Sequence, residues 1–533
     1  MSPETLLLIA LGALAVVTAV RWIGERTGLP AAALLPLIGI LYALLPGPNV
    51  ELEPHIVLTF ILPPLLYSAA LDSSLLAIRA NLRIVIGLSV LLVLATALLI
   101  GAGFGLFVTG ATLAAGVAVG AAVAPPDPVA ALAVGRKVGL PPRLITIIQG
   151  EGLLNDATAL TILNVAVAAA VGGHFSFPMA AGLFLLAAVG GAAVGIGVAF
   201  AVRMLRPIAK DALLANAVSL ATPFVAYLVG EQLHVSGVLA VVVAGLIVGH
   251  DTPRSGTGAG RLQTSAVWRL VDFLLEGLVF LLIGQQLPAV LRGLRQYDTS
   301  TVVTALVISV GVTLLLRPVW LALTQAAHLL LRREDEGLAG REIAALSWAG
   351  TRGVISLAAV FTIPLTTDAG EAFPDRDLLL FCTFVVVLVT LVGQGITFAP
   401  LVRLLGLRHN EVDEARMRNE ARAAAVHAAL DRLDDLDEDE PAQRPEIDAL
   451  RGRLRERLRR YEHRLDVLQN ADSDELPVSE RYEAALRIRR LAIEAQRDEL
   501  LRRRDAGTLP DEALRRLERE LDHEERVLPD RPQ

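Results

Sequence analysis

The chain has 533 residues, of which 54% are hydrophobic, with a mean hydropathy of +0.55, a net charge of -7 and one cysteine. Apolar residues gathered in runs of about 20, the length that crosses bilayer hydrocarbon, exclude a soluble chain, and a lone Cys382 excludes an internal disulfide or a multi-cysteine metal centre. Charge is unevenly placed: residues 1–409 hold 23 basic and 22 acidic side chains and residues 410–533 hold 25 and 33, so a hydrophobic body precedes an acidic tail.

The first apolar run, Leu6–Val20, follows Glu4 with no basic residue ahead of it, which reads as a first membrane span rather than a cleaved signal peptide. Charged or Gly/Pro punctuation then divides the body into thirteen candidate spans, near 4–24, 31–46, 55–72, 82–109, 112–135, 143–170, 177–203, 211–231, 235–250, 267–290, 301–331, 340–366 and 377–405. Eighteen basic residues, among them Arg21, Arg26, Lys210, Arg332, Arg333 and Arg408, fall at alternate connections. The other connections receive only Arg292, Arg295 and Arg376. That bias places the N-terminus outside and the tail in the cytoplasm.

Two spans are interrupted. In the fifth, Ala124-Pro125-Pro126-Asp127-Pro128 removes backbone donors and prevents continuous helix. In the twelfth, Ala349-Gly350-Thr351-Arg352-Gly353 sets an arginine between glycines. Broken helices at corresponding places in two halves point to a transporter's binding site, and an offset of seven spans makes the two halves antiparallel, as an inverted repeat requires.

The sixth span carries Glu151, Asn155 and Asp156 inside an otherwise apolar stretch. A carboxylate near the bilayer centre costs roughly 2.5–3.5 kcal/mol on insertion scales, so such a residue is a functional candidate; Asp156 is the expected centre. Glu151 lies four residues before Asn155, on the same helix face. Arg352 is also intramembrane, and an unpaired buried charge of either sign is destabilising, so a structural Glu151–Arg352 ion pair is expected. Glu276 and Arg317 are read as a second buried pair, a structural clamp. Asp127, at the break, is read as an anchor for the following half-helix, and Asp72 and Asp272 as solvated at span ends. The nine histidines show no metal spacing. Gly101, Gly103 and Gly105 are read as packing residues rather than a nucleotide loop. Without an energy-coupling domain, transport would be driven by gradients.

Phe60-Ile61-Leu62-Pro63-Pro64-Leu65-Leu66, Pro126-Asp127-Pro128-Val129-Ala130, Glu151-Gly152-Leu153-Leu154-Asn155-Asp156 and Thr351-Arg352-Gly353 follow one another over about 400 residues. Together they resemble the motifs of monovalent cation/proton antiporters, more narrowly the bacterial sodium/proton exchangers related to animal sodium/hydrogen exchangers. The resemblance implies an all-α polytopic membrane protein of about 13 helices with inverted repeats, in the plasma membrane. It implies a homodimer with dimerisation helices and a six-helix core, whose two broken helices cross beside the transport aspartate. Asp156 would seat the transported Na+ or the proton, supported by Asn155, with Asp127 near the crossing; an Asn-Asp pair goes with electroneutral one-for-one exchange. The family pattern also pairs Glu151 with Arg352. Relatives commonly have Thr where this chain has Pro126 and an acid where it has Ser68. The implied ion-binding set is therefore Asp156, Asn155, Asp127 and Ser68 with backbone carbonyls and water, and the choice among Na+, Li+ and K+ is open. No cofactor and no nucleic-acid partner are expected; the partners are lipid, small cations and a second copy.

In the tail, Asp431–Glu440 is acidic and Arg451–Arg460 basic, and Leu454, Leu458, Leu465 and Leu468 recur at helical spacing. Helical hairpins or short coiled coils are expected. The alternative functional reading is a cation-binding membrane sensor that signals through this tail without net flux.

Overall fold

The computed structural model describes residues 3–45, 53–172, 177–206, 208, 211–254, 257–330, 337–367, 370–407, 411–439, 444–469, 480–526 and 528. Lys210, Arg332, Arg333, Arg408 and Glu440 lie outside the described residues. Two compact units divide the chain, residues 1–409 and 410–533.

Among the described residues every regular element of the first unit is a helix, and the one β-contact is an isolated bridge between Thr366 and Ala372. That follows from the solvent: hydrocarbon offers no hydrogen bonds, so each spanning segment must pair its own backbone groups. Among the described residues ten helices are long and apolar enough to cross a membrane. The other three expected spans are helical but differ in kind: Ala31–Ala43 is short, Gly258–Gln285 carries Arg269, Asp272 and Glu276, and the twelfth is split into Gly340–Trp348 and Val354–Phe361. Large apolar side chains such as Leu106, Phe107, Leu185 and Leu315 stand on the outer surface. On a water-soluble protein that much exposed apolar surface would be a liability; against lipid tails it is matched.

Small residues let the helices approach. A Cβ on Gly284 would lie 2.1 Å from the Pro36 carbonyl oxygen and one on Gly39 would lie 2.2 Å from that of Leu281, so Ala31–Ala43 and Gly258–Gln285 touch backbone to backbone. Gly101 and Gly116 bring Val93–Phe107 and Leu113–Val123 together in the same way. Gly284→Ala is expected to force the first pair apart and destabilise the fold by about 1–3 kcal/mol, read as an earlier midpoint in denaturant titration of the detergent-solubilised protein.

Both expected breaks are present. Leu113–Val123 stops before the prolines and Pro128–Lys137 resumes after them; Gly340–Trp348 and Val354–Phe361 flank the second gap. Of the π-helical turns, Val389–Gln394 brings the Thr390 hydroxyl to the second gap, and Gly87–Leu92 brings the Ser89 hydroxyl to the Glu151 carbonyl at 3.4 Å. Such turns interrupt the regular ladder and redirect side chains.

The described residues of the tail unit form two helical hairpins. Glu411–Asp439 packs on Arg444–Gln469 through Ala423, Val426 and Leu458, and Glu480–Asp505 on Asp511–Arg526 through Ile493 and Leu521. Arg451 reaches across the first hairpin to Asp434 at 2.8 Å, so the basic block partly neutralises the acidic one. Such exposed pairs contribute ~0–1 kcal/mol each.

Candidate functional site

The two gaps bind each other. Proline at 125, 126 and 128 denies the chain three donors, and Asp127 adopts an extended backbone between the half-helices. Its amide donates to the Thr351 carbonyl at 2.6 Å, and the Thr351 hydroxyl donates back to the Asp127 carbonyl at 2.7 Å. Backbone groups that the broken helices leave open are thus satisfied across the crossing. The approach requires glycine at 353, where a Cβ would sit 1.7 Å from Asp127 Oδ2. Gly353→Ala is expected to displace that carboxylate and pry the two gaps apart, destabilising the fold by about 1–3 kcal/mol, read as an earlier midpoint in thermal unfolding of the detergent-solubilised protein.

Charge is distributed over the four half-helix ends by two side chains. Asp127 Oδ1 accepts from the Val129 amide at 3.0 Å, capping Pro128–Lys137, and the same carboxylate lies against Gly353, the residue that opens Val354–Phe361. The Arg352 guanidinium donates to the Val123 carbonyl at 2.6 Å and to the Gly350 carbonyl, at the C-terminal ends of the other two halves. Negative charge at helix N-termini and positive charge at C-termini oppose the backbone dipoles. The Arg352 amide is in turn held by the Thr390 hydroxyl at 3.0 Å, from one of the π-helical turns.

This arrangement corrects both expected ion pairs. Glu151 is joined in a two-pronged pair by Arg317, not Arg352: Nη2 meets Oε2 at 2.8 Å and Nη1 meets Oε1. Arg317 Nε also donates to the Leu346 carbonyl at 2.7 Å. Both side chains are fully buried, at 1% and 3% exposure. The physical reason is competition for cations: Arg352 is committed to carbonyls at the crossing, whereas Arg317 comes from a continuous helix whose buried face lies beside Glu151. Glu276, left without Arg317, faces a cavity instead.

That cavity, of about 280 Å³, is where Asp156, Asp127, Ser68, Asp272 and Glu276 meet, with Ser356 contributed by the second broken helix. Adjacent positions on Pro142–Val171 divide the work. Asn155 is completely buried and turns to the crossing, its Nδ2 donating to the Pro126 carbonyl at 2.9 Å, while its Oδ1 has no hydrogen-bond partner. Asp156, 3% exposed, lines the cavity, and the charged group that acts on it most is another carboxylate, Asp127. Among the described residues no basic side chain pairs with it.

Asp272 was expected to be solvated and is not. It is half-buried, its Oδ2 accepts from the Ser68 hydroxyl at 2.6 Å, and its Oδ1 is enclosed without a partner. A second cavity, of about 500 Å³, shares Ser68, Asp72 and Asp272 with the first, so polar side chains continue from the site towards one end of the bundle. Asp272 and Glu276, four apart in an apolar helix, carried the same signal as Glu151 and Asn155 and could have been read as one face. Thr351 stood in the sequence only as part of the Thr351-Arg352-Gly353 motif; the crossing shows what its hydroxyl and carbonyl do. Among the described residues, no group of three His, Cys, Asp or Glu side chains is placed to hold a resident metal.

The profile described as sodium/hydrogen exchanger, transmembrane, matches residues 10–404. A Mycobacterium tuberculosis protein described as an uncharacterized Na+/H+ exchanger is 33% identical over 522 residues, which cover 94% of this chain and 92% of that protein. The sodium, potassium, lithium and rubidium/H+ antiporter of Bacillus subtilis is 30% identical over 381 residues, 68% of this chain and 56% of its own. Among solved structures, the sodium proton antiporter MjNhaP1 from Methanocaldococcus jannaschii has the same fold, with a TM-score of 0.60 at 20% identity over 75% of this chain and 99% of that one. The molecule is a multi-pass secondary transporter, not an enzyme; ions are its substrates and its class needs no cofactor. It belongs to the sodium/hydrogen exchanger family.

Proposed function

We propose that this protein exchanges Na+ for H+, one for one, with the Asp156 carboxylate as the seat that the two ions occupy in turn. The observation that carries the reading is a buried acid with no basic partner among the described residues, lining a polar cavity beside two crossed, interrupted helices. A carboxylate held permanently by arginine, as Glu151 is, could not release its charge to a passing cation. A free one accepts either a proton or a hard cation at the same oxygens, and each turnover then moves one of each in opposite directions with no net charge. Asn155 holds the Asp156 helix to the Pro126 carbonyl, and its Oδ1 together with backbone carbonyls and water completes the cation's shell. Ser68 and Asp272 line the approach.

Alternating access follows from movement of a core containing the broken helices against a fixed scaffold; Ser68, Asp272 and Glu276 belong to the scaffold side and Asp127 and Asp156 to the core. The scaffold is the surface of a homodimer. The bias of basic connections supports an N-terminus outside and residues 410–533 in the cytoplasm of a plasma-membrane protein. With Ser68 in place of an acid, the shell is built largely from neutral oxygens. That, and the cation range in the name of the B. subtilis relative, supports acceptance of Li+ and K+ beside Na+.

Purified protein in sealed liposomes with a lumenal pH dye tests this directly. A Na+ jump is expected to drive proton movement at a rate that does not change when the membrane voltage is clamped at different values. Flux that scales with voltage rejects the one-for-one ratio, and no flux with Na+, Li+ or K+ at any pH rejects exchange in favour of a sensor.

A further inference from the structure

Ser356 is buried, at 1% exposure, and among the described residues its Oγ has no hydrogen-bond partner. Burying a hydroxyl in that state is unfavourable, and other hydroxyls in the bundle avoid it. Ser89, Thr96, Ser309, Thr383 and Thr390 each donate to the carbonyl four residues earlier, at 2.7–2.9 Å. The second gap denies Ser356 this bond. It is the third residue of Val354–Phe361, and the residue four before it, Arg352, lies outside the helix, beyond the extended backbone of Gly353. The break that permits the crossing therefore leaves an oxygen open on the wall of the cavity that Asp156, Asp127 and Glu276 also line. Thr313 is likewise buried without a partner among the described residues, but it does not line this cavity.

We infer that Ser356 Oγ is a ligand of the transported cation and that it weights the choice among monovalent cations. This rests on the exchange at Asp156 proposed above. A hydroxyl offers two lone pairs on a hard oxygen, the donor type that hard cations take. The cavity, of about 280 Å³, holds a cation with several waters, and Ser356 takes the place of one of them. Its helix is anchored by Leu357, Ala358 and Val360, all fully buried in the core, so the oxygen is held in position before the ion arrives and binding costs little ordering. A fixed oxygen suits one ionic radius better than another, whereas water adapts to each. Ser356 stands on a broken helix and so moves with Asp156. The pair serves the cation from both faces of the membrane, which Asp272, on the scaffold side, does not.

Initial rates of cation-driven proton movement, measured at one fixed pH with the full-length protein in liposomes, test the assignment. Ser356→Ala removes the oxygen and little volume. Its half-saturating Na+ concentration should rise about tenfold, the usual worth of a polar contact to a charged group, while the thermal midpoint stays unchanged or rises because an orphaned hydroxyl is gone. Thr313→Val removes a comparable orphan away from the cavity and should leave the Na+ titration where it was. Ser356→Cys replaces a hard oxygen with a softer sulfur and should move the preference from Na+ towards Tl+. An unmoved Na+ titration in Ser356→Ala overturns the proposal, as does an equal loss in Thr313→Val, which would report packing in general. Should Ser356→Ala fail to fold, the Na+ to Tl+ ratio of Ser356→Cys decides, since it does not depend on the amount of active protein; an unaltered ratio overturns the proposal. Exchange that persists in Asp156→Asn is a separate result, which removes the Asp156 seat itself and this assignment with it.

Discussion

Liposomes containing Asp156→Asn are expected to show no Na+-driven proton movement above protein-free vesicles, while the variant folds and incorporates as well as the parent chain. The substitution keeps shape and volume and removes the only property the proposed cycle uses, an oxygen pair that alternates between proton and cation. Among the described residues Asp156 has no basic partner, so removing its charge orphans none of them; a buried polar group replaces a buried ion, which is neutral or favourable for stability. The midpoint of thermal unfolding should therefore be unchanged or raised. Asp272→Asn is the internal comparison: it touches the same cavity but lies outside the crossing, and it should retain exchange with a higher half-saturating Na+ concentration. Measurable exchange by Asp156→Asn would remove the assignment whatever the behaviour of Asp272.

Much of this site could be read before any coordinates, and the part that could not has a single cause. The interruptions at Ala124–Pro128 and Ala349–Gly353 are local facts: proline has no amide to donate, glycine beside arginine disfavours continuous helix, and no tertiary contact repairs either. Asp156 stands out as a candidate because burying an acid in hydrocarbon is costly, and it lines the cavity beside the crossing. Partner choice was not legible. Glu151, Glu276, Arg317 and Arg352 allow more than one satisfactory pairing on charge alone, and the selection depends on which helix faces which and on carbonyls that compete for the guanidiniums. Arg352 serves Val123 and Gly350, which leaves Arg317 for Glu151. Asp272 was misread for a related reason: its nearness to a span end suggested water, whereas the fold brings Ser68 against it. The tail behaved differently. Its leucine spacing marked helices that do form hairpins through Leu458 and neighbouring residues, since hairpin packing is local along the chain.

Arg317→Gln is expected to be the most destabilising single change in the body, by about 3–5 kcal/mol, because it leaves Glu151 charged and enclosed at 1% exposure. The loss should appear as a large fall in the denaturant midpoint and in the yield of folded protein. Glu151→Gln strands the guanidinium instead, but Arg317 keeps the Leu346 carbonyl, so its effect should be smaller. Combining the two neutral substitutions removes both charges and should recover part of the stability that Arg317→Gln loses, which a merely steric role for Arg317 would not permit. The coupling measured in that double-mutant cycle, roughly 0.5–3 kcal/mol for groups in contact, must exceed the coupling of Glu151→Gln with Arg352→Gln. Arg352 meets carbonyl oxygens at the crossing and not the Glu151 carboxylate, so its loss should register in exchange rate more than in the Glu151 cycle. The reverse ordering of the two couplings would mean that Arg352 is the true counter-ion and that the helix carrying Arg317 serves packing alone.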